Sequence, residues 1–161
     1  MSPKTKSAVA LIIALALPQL AGLLGAIATA DSVSTWYVDE LNKPAFTPPG
    51  FVFPIVWPLL YLFMGIASWQ IWKTLGDHPL ARRALWLYGI QLLLNTLWSF
   101  LFFGLRMPGL AFAEILLLWL FIALTMAYFF KIRRSAGWLF VPYLLWVSFA
   151  TVLNGTIWWM N

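Results

Sequence analysis

The sequence predicts an all-α integral membrane protein, built as a bundle of five transmembrane helices. Of its 161 residues, 63% are hydrophobic and 9% are charged, and the mean hydropathy is +0.86. A chain with so little polar surface must be solvated by lipid rather than by water.

Uncharged runs of about 20 residues, the length that crosses a bilayer, occur five times. They are too long and too continuous for the strands of a membrane β-barrel, which alternate in polarity over about 10 residues. The predicted helices use most of a single domain over 1–161, and they are about 7–30, 51–75, 83–104, 108–130 and 137–159.

The first predicted helix follows Lys4 and Lys6 and ends at Ala28-Thr29-Ala30, a pattern shared with cleaved signal peptides. Its apolar stretch of about 20 residues is longer than that of a signal peptide, which has about 7–15. Small residues also recur along it at a spacing that allows close helix packing. We therefore expect a retained helix, since cleavage would leave four spans.

The connection 31–50 is the only long one. It holds Trp36-Tyr37 and the acidic pair Asp39-Glu40, and it ends in Pro48-Pro49-Gly50, a strong helix-breaking signal. Such a stiff aromatic loop is either a functional segment covering a site or a connector whose Trp36 anchors at the membrane interface. The other connections are short, which predicts that successive helices are antiparallel neighbours.

Basic residues are concentrated on one side of the predicted bundle. Only Lys43 and Arg106 fall on the other side, together with three acidic residues. This positive-inside bias predicts a cytoplasmic N-terminus in a bacterial cytoplasmic membrane. The net charge of +5 then faces lipid headgroups and cytoplasm, and no nucleic acid partner is expected. The eight residues on the basic side are Lys4, Lys6, Lys73, Arg82, Arg83, Lys131, Arg133 and Arg134.

Side chains for acid–base, nucleophilic or metal chemistry are scarce. The chain has no cysteine, and its only histidine, His78, lies in a short basic turn where a solvated role is expected. No metal site and no catalytic residue are predicted.

Glu114 is the one ionisable residue well inside a predicted span, about 9 Å from the outer end of the fourth helix. A carboxyl group there costs free energy unless it is protonated, paired or in contact with water. A structural hydrogen bond to a neighbouring helix is favoured over a functional role, because the other spans offer no partnering charge.

Eleven tryptophans give the clearest indication of a site. Six lie near helix ends, where tryptophan commonly sits at the membrane interface: Trp69, Trp72, Trp86, Trp138, Trp158 and Trp159.

Three others lie deeper on helix faces with polar or small companions. Trp57 precedes Tyr61 at i,i+4, Trp146 precedes Ala150, and Trp98 nearly shares a face with Asn95. All three faces fall in the outer half of the membrane, about 9–14 Å below its surface. Structural contacts explain any one of these faces. Together they predict an aromatic cavity under the first loop and Trp36.

These segments resemble the TspO/MBR family, also called translocator proteins, tryptophan-rich sensory proteins or peripheral-type benzodiazepine receptors. The resemblance covers nearly the whole chain in order, and the combination of motifs is highly specific. The matching segments are Trp36-Tyr37, Leu41-Asn42-Lys43-Pro44 with Pro48-Pro49, Val56-Trp57 with Leu60-Tyr61-x-x-Met64-Gly65, Gln91-Leu92-x-x-Asn95-x-x-Trp98, Phe102-Phe103-Gly104, and Pro142-Tyr143-Leu144-x-Trp146-x-x-x-Ala150-Thr151-x-Leu153-Asn154.

The resemblance implies a five-helix bundle, usually a homodimer, that binds porphyrins and other hydrophobic ligands in a pocket covered by the first loop. Protoporphyrin IX or haem is the candidate ligand, and no cofactor is required. Two departures stand out: Ala45-Phe46 replaces the usual loop tryptophan, and Gly155 replaces the tyrosine of the animal cholesterol motif, so that sterol site is not inherited. By motif, the pocket draws on Trp36, Trp57, Tyr61, Asn95, Trp98, Trp146, Ala150 and Leu153.

The implied role is tetrapyrrole transport or regulation through ligand binding. The alternative is an enzyme that degrades porphyrin in the light with tryptophan side chains as redox groups, which requires no acid–base residues. A weaker possibility is a membrane protein that recruits partners through aromatic faces. Because relatives are assigned to outer membranes of mitochondria and some bacteria, an outer membrane is the alternative location.

Overall fold

The computed structural model describes residues 2–161, apart from the side chain of Ala28. Each of its five long helices is long and apolar enough to cross a membrane, and residues 2–161 contain no β-strand. The predicted all-α bundle of five transmembrane helices is confirmed. The helices are α1 (Pro3–Ser34), α2 (Phe53–Trp72), α3 (Ala81–Ser99), α4 (Pro108–Ile132) and α5 (Arg134–Met160).

Two π-helical segments lie at one end of the bundle. Trp36–Glu40 follows α1, and Phe100–Gly104 continues α3. π-Helical turns are rare and are found frequently at functional sites. We call this the cavity end; α1, α3 and α5 end there, and α2 and α4 begin there.

α1 departs most from its predicted bounds. It begins at Pro3 rather than Ser7, because Ser2 Oγ accepts a 3.2 Å hydrogen bond from the Thr5 amide and caps the helix. It continues past Ala30 to Ser34, where the hydroxyls of Ser34 and Thr35 donate to the Asp31 carbonyl oxygen. The long connection predicted over 31–50 is therefore shorter, and only 41–49 lies outside helical or π-helical turns.

α1 packs closely against α2. A Cβ atom on Gly65 of α2 would lie 2.6 Å from the Ala14 carbonyl oxygen and 2.9 Å from Leu15 Cα. Small residues permit helices in a membrane to approach this closely. Gln19 Nε2 also donates a 3.0 Å hydrogen bond to the Pro58 carbonyl oxygen across the same interface. These contacts pack α1 against the rest of the bundle.

The other helices close the bundle as antiparallel neighbours. Arg133 alone joins α4 to α5, which pack along each other, while α2 contacts α5 and α3 contacts α4. Trp119 Nε1 on α4 donates a 2.7 Å hydrogen bond to Ser148 Oγ on α5. Trp119, which fits neither the interfacial belts nor the predicted pocket, therefore ties two helices together.

Candidate ligand-binding cavity

A cavity lies at the cavity end, between α2, α3 and α5, against both π-helical segments. Eight of its twelve lining residues are aromatic, and Asn154 supplies the only side-chain amide. The twelve are Tyr37, Phe53, Trp57, Trp98, Phe102, Phe103, Trp146, Phe149, Ala150, Leu153, Asn154 and Ile157.

The walls are made of aromatic rings in contact with one another. Trp98 is stacked on Phe102 with centroids 5.2 Å apart, and Trp146 meets Phe53 edge to face at 5.9 Å. Phe102 and Phe103 are consecutive residues of the π-helical segment after α3, and both face the cavity. Offset and edge-to-face contacts of this kind stabilise aromatic walls while leaving ring faces for a flat ligand.

Trp98 is held in orientation by a polar chain across three helices. Its Nε1 donates a 3.0 Å hydrogen bond to Asn154 Oδ1, and Asn154 Nδ2 donates at 2.8 Å to the Pro108 carbonyl oxygen at the start of α4. Asn154 is fully buried. The amide therefore fixes the indole on the cavity wall and satisfies a backbone carbonyl at a helix start.

A second polar network lies beneath the cavity. Tyr61 Oη donates to Asn95 Oδ1 at 2.8 Å, and Asn95 Nδ2 donates to Tyr143 Oη at 3.0 Å. Tyr143 Oη in turn donates to Gln91 Oε1 at 2.9 Å. Trp57, which lines the cavity, stacks on Tyr61 at 5.5 Å. The network thus joins α2, α3 and α5 directly under one wall of the cavity.

The segment 41–49, called the lid segment below, crosses the cavity end. Asn161 clasps it: Asn42 N donates to Asn161 Oδ1, and Asn161 Nδ2 donates to the Asn42 carbonyl oxygen, both at 2.9 Å. Phe46 meets Phe149 of the cavity wall edge to face at 6.3 Å. Lys43 Nζ donates to the carbonyl oxygens of Tyr37 and Val38, both within the first π-helical segment.

Five of the eight sequence-predicted residues line the cavity together: Trp57, Trp98, Trp146, Ala150 and Leu153. Tyr61 and Asn95 lie beneath it in the polar network. Trp36 does not line it; its ring packs against Phe102 at 5.8 Å, and its neighbour Tyr37 faces the cavity instead. Burial raises the pKa of the Tyr37 hydroxyl above its ordinary value, so this group is a neutral hydrogen-bond donor and acceptor.

Several lining residues were not predicted as site residues. Phe53 and Phe149 carried no usable signal, because a phenylalanine in an apolar span is expected anywhere on its surface. Phe102 and Phe103 were present in the matched motif, and Asn154 lay one turn beyond Ala150 on the α5 face. Neither the motif nor the shared helix face shows by itself that these side chains line a cavity.

The expectation of a structural hydrogen bond for Glu114 is wrong. Both carboxyl oxygens are buried and have no hydrogen-bond partner among the described residues, and Glu114 does not line the cavity. His78 occupies a turn, where its Nδ1 accepts a 3.2 Å hydrogen bond from the Leu80 amide.

The structure defines a multi-pass membrane protein of five helices with an aromatic cavity at one end. The model of the TspO/MBR family matches residues 14–160, and the chain belongs to this family. It is 41% identical to the tryptophan-rich protein TspO of Chlorobaculum tepidum, over 87% of this chain and 92% of the relative. It is 44% identical to the tryptophan-rich sensory protein of Cereibacter sphaeroides, over 74% and 72% of the two chains. It is 40% identical to the translocator protein of Bos taurus, over 90% and 86%.

Proposed function

We propose that the protein binds porphyrin-like tetrapyrroles and other flat hydrophobic molecules in the aromatic cavity, and that this binding serves tetrapyrrole transport or regulation. The main support for this proposal is the composition of the cavity wall, which has eight aromatic side chains and one side-chain amide. Flat π-systems gain from stacking on indole and phenyl rings, and sparse polar groups orient the ligand. The names of relatives, a sensory protein and a translocator protein, agree with a sensing or transport role.

The size of the cavity indicates that binding requires opening. Its volume is about 60 Å³, whereas pockets for drug-sized ligands enclose about 300–1,000 Å³. A tetrapyrrole therefore enters only when the lid segment and the aromatic side chains move apart. This opening must break the contacts of the lid segment with α5 and Asn161: Asn42 is bonded to Asn161, Phe46 packs on Phe149, and Leu41 is buried beside Leu153 and Ile157.

Quenching of tryptophan fluorescence by protoporphyrin IX tests the proposal. We expect saturable quenching, and we expect the double variant Trp57→Phe/Trp146→Phe to raise Kd about fivefold, because indole stacking is worth about 0.5–1.5 kcal/mol per aromatic pair. The matched control is Trp138→Phe/Trp159→Phe, which removes the same number of indoles from exposed positions. Equal Kd values for the two double variants would refute the pocket assignment.

A second candidate function is light-dependent porphyrin degradation, favoured by the three indoles of Trp57, Trp98 and Trp146 on the cavity wall. These oxidisable side chains would lie against a bound macrocycle. Illuminating the purified complex and recording its absorbance tests the idea. A new absorbing product that forms only with the protein supports degradation, and its absence leaves binding alone.

We further propose a cytoplasmic N-terminus in a bacterial cytoplasmic membrane, and a homodimer. The positive-inside bias supports the orientation, and it places the cavity end away from the cytoplasm. Single cysteines replacing Ala45 in the lid segment and Gly76 at the opposite end report the orientation, since the chain has no native cysteine. An impermeant maleimide should label intact cells at position 45 only. Subunit counting in lipid nanodiscs tests the dimer.

A further inference from the structure

Two basic residues, Lys43 and Arg106, lie at the cavity end, and they differ in how many of their hydrogen-bond donors are already used within the protein. Lys43 Nζ donates to two backbone carbonyl oxygens and lies 4.8 Å from the Tyr37 ring centroid. It therefore offsets the partial negative charge of two carbonyl oxygens within the first π-helical segment. Arg106 is exposed, and among the described residues its guanidinium makes one side-chain hydrogen bond, from Nε to Ser32 Oγ at 3.3 Å. Its two terminal nitrogens are left for another partner.

The guanidinium of Arg106 lies one aromatic ring away from the cavity wall. Its Cζ is 6.0 Å from the Trp36 ring centroid, and the Trp36 ring packs against Phe102, which lines the cavity. The Ser32 hydrogen bond holds Nε and directs the planar group across the Trp36 face. Arginine presents a rigid fork of donors whose geometry matches a carboxylate.

The backbone at Arg106 is strained. Its φ of 54° is the only positive φ of a non-glycine residue among the residues described. That conformation costs about 1–2 kcal/mol for a residue with a side chain, and strained residues cluster at ligand sites. The hydrogen bonds Leu105 N to Phe100 O at 2.8 Å and Met107 N to Leu101 O at 3.1 Å hold the turn on either side. Glycine would adopt this φ without strain. The presence of arginine at a position where glycine would be more stable indicates that its side chain has a role.

We propose that Arg106 binds the carboxylate of a ligand held in the cavity, and that it makes the protein favour flat aromatic acids over their neutral analogues. The inference rests on the proposed function, since it assumes that the cavity takes the aromatic body of the ligand. A ligand carboxylate, such as a porphyrin propionate, would meet the guanidinium beside Trp36 once the aromatic side chains have moved apart, as ligand entry requires. Lys43 is bonded to two backbone carbonyl oxygens, so of the two basic residues at the cavity end Arg106 is the one with donors left for an anion.

Protoporphyrin IX and its dimethyl ester test the proposal, because they share one macrocycle and only the free acid carries carboxylates. Titrations of the full-length protein in one detergent give Kd for each ligand. We expect Arg106→Gln to raise the Kd of the free acid about tenfold, the size of one charge-assisted hydrogen bond, and to change that of the ester less than twofold. Arg134→Gln, an exposed arginine at the opposite end of α5, should change neither.

A second variant separates binding from folding. Arg106→Gly removes the side chain and also the strain of the positive φ, so its Tm should not fall while its Kd for the free acid rises about tenfold. Ser32→Ala, which removes the hydrogen-bond partner of Nε, should raise the Kd of the free acid about two- to threefold. Arg106→Lys should give an intermediate Kd, since a point charge replaces a planar fork.

The outcomes distinguish the two levels of the proposal. If Arg106→Gln raises the Kd of the free acid and that of the ester equally, Arg106 has a structural role and the carboxylate subsite is overturned. An unchanged Kd for the free acid would also overturn it while leaving the cavity assignment intact. If the unaltered protein binds neither porphyrin, the proposed function fails, and the subsite fails with it.

Discussion

The hydroxyl of Tyr61 donates a 2.8 Å hydrogen bond to Oδ1 of Asn95, joining α2 to α3 directly beneath the aromatic cavity. Both groups are buried, so neither finds a substitute partner in lipid. The amide passes the contact on to Tyr143 of α5. Since Trp57 stacks on the Tyr61 ring, the same hydrogen bond also fixes part of the cavity wall.

Tyr61→Phe should therefore lower both stability and affinity. It leaves Asn95 Oδ1 without its donor, which should reduce the free energy of unfolding by about 1 kcal/mol, within the range of interhelical hydrogen bonds in membranes. Unfolding in mixed detergent micelles measures the loss. Tyr128→Phe is the matched control, because the Tyr128 hydroxyl has no hydrogen bond among the described residues and lies near Lys131 at a helix end. Equal losses in the two variants would contradict the assigned role of the network.

Two glycine substitutions should have opposite effects, because Gly65 lies in the close interface between α1 and α2 while Gly89 lies in open space on α3. Gly65→Ala places a Cβ 2.6 Å from the Ala14 carbonyl oxygen and should destabilise by about 1–3 kcal/mol, as overpacking does. Gly89→Ala adds a methyl group on α3 where nothing lies within 4 Å. It should be neutral or stabilise by up to about 1 kcal/mol, because alanine is the better helix former. Thermal unfolding of both variants decides; a Gly65→Ala protein as stable as Gly89→Ala would refute the close seam.

The sequence predicted the five spans because polar backbone groups in lipid are satisfied only in helices or closed barrels, and uncharged runs of about 20 residues fit helices. It misplaced the ends of α1 because those depend on local hydroxyls, with Ser2 capping the start and Ser34 and Thr35 extending the end. Hydropathy reports the thickness of the membrane and carries no information on such caps.

The residues of the site were predicted only in part, because the sequence indicates which side chains share a helix face but not what that face contacts. A spacing of i,i+4 defines a helix face, and this was enough to group Trp57 with Tyr61. It does not define what the face meets, so Tyr61 lies in the polar network while Trp57 lines the cavity. The placement of Tyr37 in place of Trp36 follows from the π-helical turn after α1, which neither spacing nor composition predicted.

Glu114 offers a test of whether an unpartnered buried carboxyl group is a structural cost. With no hydrogen-bond partner in the described part of the chain, its replacement by a hydrophobic residue of similar length should stabilise the bundle. We expect Glu114→Met to raise the free energy of unfolding by about 1–3 kcal/mol and Glu114→Gln to have a smaller effect. Leu118→Met, one turn further along the same buried face, controls for methionine itself. If Glu114→Met is instead destabilised or fails to bind porphyrin, the carboxyl group has a functional partner.

The Asn42–Asn161 clasp predicts control over ligand entry. Both amide hydrogen bonds, each 2.9 Å long, join the lid segment to the residue that follows α5, and Asn161 Nδ2 is also bonded to the Ile157 carbonyl oxygen. Asn161→Ala removes all three, so the lid segment should open more often and the association rate of protoporphyrin IX should rise several-fold. Because the closed state is weakened as well, dissociation should accelerate at least as much and Kd should not fall.

Stopped-flow quenching gives both rates, and a spin label on a single cysteine replacing Ala45 reports the mobility of the lid segment. Thr156→Ala is the control, since that hydroxyl bonds only within α5, to the Val152 carbonyl oxygen. Unchanged rates in Asn161→Ala would mean that the ligand reaches the cavity by a route that does not pass the lid segment.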